Sequence, residues 1–372
     1  MSSEEKGYLL ISAPKTREDT YNTLTRKISD ENDLATQFKF AVPDLKVGTL
    51  DSLVALSDDL GRVDTYVETV TRKIAQQLFE VLDNPADRSE VLTVGQTNYE
   101  KYINYFTWDE AKYPSTQSLK VITEVIHAQC HKFDDELKTK ALEYTNLVHT
   151  LNAEERKAGG NLTVRDISES VKQEDVIQTE YLETLFIVVH KPVLKEFWSS
   201  YEKMSQYVLP RSAKQLDEDN DYALIRVVLF KKFIADFHSA AREKRYTVRD
   251  YVYDPEKSAK AERKKMEAER DRLKKNLVRW CKTNFAEAYV GWVHLKAVRI
   301  FVESVLRYGL PINFQAVLLL PKKGKQTKLR KVLSDMFSHL ASKNVFNAKE
   351  EESETDKFYP YVSLDVNLNM SK

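Results

Sequence analysis

Ser115–Gly160 reads STQSLKVITEVIHAQCHKFDDELKTKALEYTNLVHTLNAEERKAGG. Its apolar stripe runs Leu119, Ile122, Ile126, Cys130, Phe133, Leu137, Ala141, Tyr144, Val148, Leu151, in steps of three and four. That period marks one face of a straight α-helix. Pro114 precedes it, Ser115 is the expected cap and Gly159-Gly160 the expected stop. At 1.5 Å per residue the helix is about 65 Å long.

A second long helix is expected to start at Asp254-Pro255-Glu256, where a capping Asp, a first-turn Pro and an acid follow one another. No proline interrupts it before Pro311, and Gly309 is the expected stop, so its length is about 80 Å. Glu256–Lys275 is mostly Glu, Lys and Arg. Leu273, Leu277, Trp280, Phe285, Ala288, Trp292, Leu295, Val298, Val302 and Val305 follow. Packing should therefore be sparse near the start of this helix and dense near its end. Gly291 marks the position where a kink would be tolerated.

Outside the two helices, Tyr8–Ala13 reads as a buried strand, Thr16–Ile28 as a helix and Phe38–Val42 as a strand. Thr49–Leu82 is an amphipathic helix ended by Asn84-Pro85. Between the long helices, Leu185–Val189, Tyr222–Phe230 and Tyr246–Tyr253 read as strands, and Leu194–Met204 and Lys231–Arg245 as helices. Phe314–Leu320 is a strand, Gln326–Ala341 a helix, Asn347–Asp356 an acidic loop and Tyr359–Asn367 a last strand. No repeat of 20–50 residues is read along the chain.

If the long helices pair antiparallel, residues 159–254 form an insert at one tip, and both chain termini meet at the other, where their strands can share a sheet. The expected fold is α+β and helix-dominated. It is an elongated dumbbell with a discontinuous α/β foot, a long two-helix antiparallel neck and an inserted α/β head. The foot takes 1–114 and 286–372, the neck helices 115–158 and 255–285, and the head 159–254.

Composition narrows the function. The chain has 372 residues, 42% hydrophobic and 31% charged, with 57 Lys+Arg against 57 Asp+Glu. Zero net charge argues against a dedicated nucleic-acid binder, which needs a cationic surplus to displace counterions from phosphates. Nine glycines, adjacent only at Gly159-Gly160, form no cluster of the phosphate-cradling kind. Cys130 and Cys281 are too few for a disulfide framework. The acidic start, MSSEEKGYLLISAP, is not read as a signal peptide, and no apolar run reaches the ~18 residues of a membrane span.

Several local patterns invite sharper readings. Lys322–Thr327 (KKGKQT) lacks the earlier Gly and the Ser or Thr of a phosphate loop, since Leu319 and Gln326 occupy those positions. It reads instead as a solvated basic loop entering a helix or, the favoured reading, as a basic contact surface of Lys322, Lys323, Lys325, Lys328, Arg330 and Lys331. A second basic run, Lys231, Lys232, Arg242, Lys244, Arg245 and Arg249, lies near the acidic Asp217–Asp221 and reads as a docking surface or a solvated face. His127, Cys130 and His131 share a helix flank, but no fourth ligand follows, so they read as helix-face side chains with no metal. Antiparallel pairing sets residue 130 level with roughly residue 283, so Cys130 and Cys281 read either as neighbouring thiols open to joint oxidation or as two small buried hydrophobes. Asp58-Asp59 and Asp134-Asp135 are adjacent on helices, diverge, and read as solvent-face charges rather than an acid/base couple. No catalytic residue, cofactor or metal site is expected.

Five stretches carry a family resemblance: YLLISAP (Tyr8–Pro14), KFAVPDLKVGTLDSLVALSDDL (Lys39–Leu60), AREKRYTVRDYVYD (Ala241–Asp254), HLKAVRIFVESVLRYGLPINFQAVLL (His294–Leu319) and YPYV (Tyr359–Val362). Together they resemble the C subunit of the vacuolar-type proton-pumping ATPases (V-ATPases). The long head insertion of some animal members is absent. The resemblance implies the foot–neck–head fold and a non-catalytic stator, or peripheral-stalk, role. In that role the protein links the ATP-hydrolysing sector to the membrane proton channel, supports reversible assembly, and so serves proton transport and organelle acidification. Implied partners are the E and G subunits, as one stalk at the head and one at the foot, and the N-terminal domain of the a subunit; actin binding is also associated with the family. The implied place is cytoplasmic, peripheral on vacuolar, endosomal, lysosomal or plasma membranes through the complex. The rival reading is a coiled-coil or actin-linking adaptor unrelated to the pump.

Overall fold

A computed structural model describes residues 7–15, 19–82, 88–158, 160–168, 170–252, 259–340 and 359–370. Asn84-Pro85, Gly159, Asp254-Pro255-Glu256 and Asn347–Asp356 lie outside the described residues. The chain divides into two compact units, Met1–Ala141 with Lys275–Lys372, and Leu142–Lys274, so the boundary falls inside both long helices. The elements in chain order are β1 (Gly7–Pro14), α1 (Thr20–Leu24), β2 (Ala35–Phe40), α2 (Leu50–Val81), α3 (Arg88–Val91), β3 (Thr93–Val94), β4 (Thr97–Asn98), α4 (Tyr99–Asn104) and α5 (Leu119–Ala158). Then come β5 (Leu182–His190), α6 (Leu194–Ser200), β6 (Lys214–Glu218), β7 (Tyr222–Phe230), α7 (Ile234–Glu243), β8 (Thr247–Arg249), α8 (Ala259–Tyr308), β9 (Phe314–Pro321), α9 (Gln326–Met336) and β10 (Val362–Asn367).

In the first unit the strands of both chain ends share one antiparallel sheet, β10-β1-β9-β2, as the helix placement implied. Tyr8–Ala13 are all buried because β1 is an inner strand covered on both faces. One face packs Leu9, Ile11, Val317 and Leu319 against Leu24 and Ile28, and against Leu329 and Leu333 of α9. On α8, Ser304 hydrogen-bonds Ser12 at 2.7 Å, and Phe301 meets Phe314 edge to face. Of the helix expected over Thr16–Ile28, residues 16–18 lie outside the described residues; Asp19 caps α1, and a π-turn over Thr25–Asp30 follows. The one expected over Gln326–Ala341 closes at Met336, followed by a 3₁₀ turn.

Within this unit α5 and α8 run antiparallel. Gln129 reaches Glu287 at 3.5 Å, Phe133 meets Trp280, and Trp280 Nε1 donates to Glu136 at 2.9 Å. A third helix joins them. α2 lies parallel to α5, with the Tyr66 and His127 rings 5.1 Å apart and tilted, and Lys73 bonded to Asp134. So this stretch of the expected two-helix neck is a three-helix layer, because α2 buries its own stripe there, Leu53 through Val81. Asp134 is buried between Lys73 at 3.0 Å and Lys138 at 2.6 Å rather than facing solvent. Burial would raise its pKa, yet the two ammonium groups outweigh burial and hold it below the ordinary carboxylate range. The cap of α5 is Ser118, whose hydroxyl accepts from the Val121 N–H, while the Ser115 N–H donates to Glu110. Gly291 leaves α8 unbroken. A Cβ there would lie 3.3 Å from Ile126 Cγ2, so the glycine serves close approach of α8 to α5.

The packing gradient is present. In α8 no residue over 262–276 is buried, whereas Leu277, Cys281, Phe285 and nearly every residue over 288–305 are. On α5, Leu151 alone is buried between Leu137 and Arg156. Both cysteines are free thiols in the dense part, and burial pushes each up to about 12. With thiolate this scarce, disulfide-exchange labelling at pH 8 should be at least about 100-fold slower in the native chain than in denaturant. Equal rates would contradict the packing.

The second unit has an antiparallel sheet, β6-β7-β5-β8. β6, a polar edge strand, was not anticipated, and β8 is shorter than the strand expected over Tyr246–Tyr253. One sheet face packs Ile187, Val189, Val227 and Leu229 on Phe197 of α6 and Phe237 of α7. The other face is covered by Leu162, Ile167 and Val171. Arg165 pairs with Asp217, and Asp175 pairs with Lys214, fastening that covering segment.

A repeat hidden from the sequence reading organises this unit. β5, a 3₁₀ turn at Lys191–Val193 and α6 recur forty residues later as β7, a 3₁₀ turn at Lys231–Phe233 and α7. The junction dihedrals agree: φ/ψ are −69/133 at His190 and −74/135 at Phe230, then −100/7 at Val193 and −113/14 at Phe233. Val188/Val228, Lys191/Lys231, Phe197/Phe237 and Ser199/Ser239 are identical across the repeat. Phe186 pairs with Arg226, its own equivalent, so a local two-fold axis passes between β5 and β7.

Candidate partner-docking surfaces

Docking to a charged partner needs exposed cations without internal partners, preferably beside aromatic side chains that gain from desolvation. The twelve basic residues expected to dock divide sharply on that criterion.

In the first unit, β9 ends at Pro321 and a turn at Gly324, with φ +69, leads into α9. Lys322 Nζ bonds the Asp33 carboxylate, and Lys325 Nζ donates to the Asp33 carbonyl at 2.8 Å. Their charge is spent on Asp33, whose carboxyl Lys322 holds below its usual range. Arg330 pairs with Asp365 at 2.6 Å and lies over the Tyr359 ring. Lys328 and Lys331 project from α9 into solvent, three residues apart on one face, and make no ion pair among the described residues. Lys323 is exposed in the turn. The expected foot cluster is therefore a smaller surface centred on α9.

In the second unit the six residues do not form one patch. Val248 of β8 packs on the helix-covered face, so Arg249, its neighbour along the strand, belongs to the opposite face, where it donates to the Leu162 carbonyl at 2.8 Å. Lys244 is held by Glu196 at 3.3 Å and Ser200 at 3.1 Å. Arg245 takes φ +59 at the end of α7 and is exposed, as is Arg242. The acidic Asp217–Asp221 stretch acts within the unit. Asp219 accepts from the Leu162 and Tyr222 N–H groups, and Asp217 pairs with Arg165.

Lys231 and Lys232 differ from the rest in standing beside partly exposed aromatic rings. Both are exposed and make no ion pair among the described residues; Lys232 Nζ lies 5.9 Å from the Phe233 ring centre. Around them stand Tyr181 (64% exposed), Tyr207 (51%) and Phe230 (39%). Tyr207 meets Phe230 at 5.9 Å and Phe233 at 4.7 Å between ring centres. The aromatic half of this surface escaped the sequence reading. The paired Lys191 and Lys231 of the repeat were the signal that would have located it.

Among the described residues no group of three His, Cys, Asp or Glu side chains is placed to hold a metal ion. His127 and His131 instead pack on Tyr66, and His131 pairs with Asp135 at 3.1 Å. No helix among the described residues is long and apolar enough to cross a membrane.

Comparison with known proteins places the chain. A family model for the V-ATPase C subunit matches residues 8–363. A V-type proton ATPase C subunit from Dictyostelium discoideum is 43% identical over 366 residues, covering 98% of this chain and 99% of the relative. The V-type proton ATPase C 1-A subunit of Danio rerio is 43% identical over 378 residues, covering 98% of each chain. The C subunit of the Caenorhabditis elegans V-type proton ATPase is 42% identical over 383 residues, covering 99% of each. With the match running nearly end to end, this chain belongs to the family of V-ATPase C subunits.

Proposed function

We propose that the chain is a non-catalytic stator subunit that links the cytosolic ATP-hydrolysing sector of a V-ATPase to its membrane proton channel and supports reversible assembly. The supporting observation is the end-to-end family match, which spans both compact units. In this reading the protein lies on the cytosolic face of the membrane through the complex. It meets the E and G subunits and the N-terminal domain of the a subunit. Each unit offers its own basic surface, around Lys328 and Lys331 in one and around Lys231 and Lys232 in the other. Two separate contacts give avidity: releasing one lowers the effective concentration of the other, so each can be weak enough to let go.

The test is reconstitution. Full-length chain added to a pump preparation stripped of its own C subunit should restore ATP-driven acidification of vesicles. The double variant Lys328→Glu/Lys331→Glu should weaken binding of the purified E–G pair or of the a-subunit domain by about tenfold at low salt. No restoration by the wild type rejects the stator reading. Restoration with unchanged affinity for both partners in the variant rejects α9 as a docking surface.

A further inference from the structure

The two halves of the repeat use the same hydrogen bonds around their lysines. The Lys191 N–H donates to the Asp221 carbonyl at 2.8 Å, and the Lys231 N–H donates to the Tyr181 carbonyl at 2.8 Å. Asp221 and Tyr181 are themselves equivalent across the repeat. The turns leading into the two strands also match. The Asp219 N–H donates to the Tyr222 carbonyl at 2.9 Å, and the Thr179 N–H to the Leu182 carbonyl at 3.0 Å. In return the Tyr222 N–H is accepted by Asp219 Oδ1 and the Leu182 N–H by Thr179 Oγ1.

Against this shared frame the side chains differ. At the first position the chain supplies its own acid: Lys191 Nζ lies 3.9 Å from Glu218, and the His190 and Tyr222 rings close over the junction at 5.2 Å. At the second position Gln178 stands where Glu218 stands in the first. Among the described residues neither Lys231 nor the adjacent Lys232 meets a carboxylate, and neighbouring Glu180 makes no ion pair. The aromatic cover is present but open, with Tyr181, Tyr207 and Phe230 left to solvent. One position carries its acidic turn in the same chain; the other keeps the cation and the aromatic walls and lacks the acid.

We infer that the Lys231–Lys232 position, walled by Tyr181, Tyr207, Phe230 and Phe233, receives an acidic segment of a partner protein, whose carboxylate meets the Lys231 ammonium as the chain's own Glu218 meets Lys191. The carboxylates of the segment pair with Lys231 and Lys232, and an apolar side chain of the segment lies against Tyr207 and Phe230. Charge complementarity selects an acidic occupant, and the aromatic walls select a polypeptide over a bare polyanion. This deepens the docking reading of the second unit and rests on it.

A fluorescein-labelled peptide with the sequence of Leu216–Tyr222, LDEDNDY, is the probe, added to the full-length chain and read by anisotropy at low salt. It should bind, weaken as salt rises, and lose at least about tenfold in affinity to both Lys231→Glu/Lys232→Glu and Tyr207→Ala/Phe230→Ala. Lys328→Glu/Lys331→Glu should bind the probe as the wild type does, and unchanged thermal unfolding of the two head variants certifies their fold. No binding by the wild type, or equal binding by the Lys231/Lys232 variant, overturns the inference. So does unlabelled oligonucleotide or a phosphatidylserine vesicle competing as well as unlabelled peptide, or equal binding by Tyr207→Ala/Phe230→Ala, because the site then answers charge alone. The same variants are titrated with the purified E–G pair. If the wild type binds the pair and the Lys231/Lys232 variant binds it equally, the inference fails while the docking reading stands. If the wild type does not bind the pair, that reading fails and the peptide arm decides the inference.

Discussion

Replacing Asp64 with alanine is expected to destabilise the first compact unit by about 3–5 kcal/mol, because it strands a buried ammonium group. Asp64 lies on α2 and accepts three bonds from α8. Oδ1 takes Trp292 Nε1–H at 3.0 Å, and Oδ2 takes Lys296 Nζ and Arg299 Nη1, each at 2.8 Å. Both the Asp64 and the Lys296 side chains are 4% exposed. The next carboxylates are farther from the cations or already engaged: Glu68 is 4.0 Å from Lys296, and Glu303 is bonded to the Arg299 Nε. Neither replaces Asp64 without opening the helix contact. Calorimetry should show the melting temperature falling by roughly 10 °C, taking about 2–4 °C per kcal/mol for a unit of this size. The control is Asp64→Leu with Lys296→Met. Removing both charges together should recover most of the loss, since a buried pair and an apolar pair of similar volume are close in energy. A single variant that melts with the wild type, or a double variant worse than the single, would contradict this account of the α2–α8 contact.

That network also shows where sequence reading ends. The stripes of α2, α5 and α8 are periodic over many turns, and the structure buries most of their residues, although Leu50 at the start of α2 is exposed. The charged beginning of α8 was equally legible, since a helix without apolar positions has nothing to bury. What periodicity does not carry is the partner. Asp64 lies on the buried face of α2, and only α8 explains an acid there. Asp134 looked like a surface charge for the same reason: its cation, Lys73, arrives from another helix. Short polar pieces were missed because their ordering is supplied by neighbours; β6, reading KQLDE, is a strand because β7 pairs with it. The forty-residue repeat was missed because its constraint is on backbone turns and buried volume. Leu185 matches Ile225 and Leu194 matches Ile234 in burial or bulk, not identity. The candidate docking surfaces were half legible. A run of lysines is visible in any sequence, but which lysines are already paired, as Lys322 and Lys325 are with Asp33, is decided by a residue nearly three hundred positions away.

His294 makes acidity a second lever of large expected effect. Its imidazole is fully buried among Phe106, Trp108 and Tyr113, with ring centres 4.7–5.0 Å away. Nε2 accepts the Asp109 N–H at 3.0 Å, so the proton sits on Nδ1, which donates to the Val290 carbonyl at 2.7 Å. Burial drives its pKa down to about 4; the Val290 bond and the Asp109 charge oppose that shift without reversing it, and Lys112 adds to it. In the unfolded chain the same side chain titrates near 6.5. Between pH 6.5 and about 4 the unfolded state therefore holds the extra proton, so stability rises with pH through that window and falls as the solution is acidified. The contribution is complete above the unfolded value. By pH 5 it should have cost about 2 kcal/mol relative to pH 7.5, from one proton at 1.36 kcal/mol per unit. Denaturant titration at the two pH values measures it in the wild type and in His294→Gln. Glutamine retains a donor and an acceptor but cannot titrate, so its two curves should differ by about 2 kcal/mol less than those of the wild type. The comparison separates this histidine from carboxylates that also protonate near pH 5, because those act equally in both proteins. If His294→Gln keeps the full pH dependence, the acid sensitivity between pH 7.5 and 5 comes from a group other than His294, and that group is not Asp134, whose depressed pKa makes it lose stability only at lower pH.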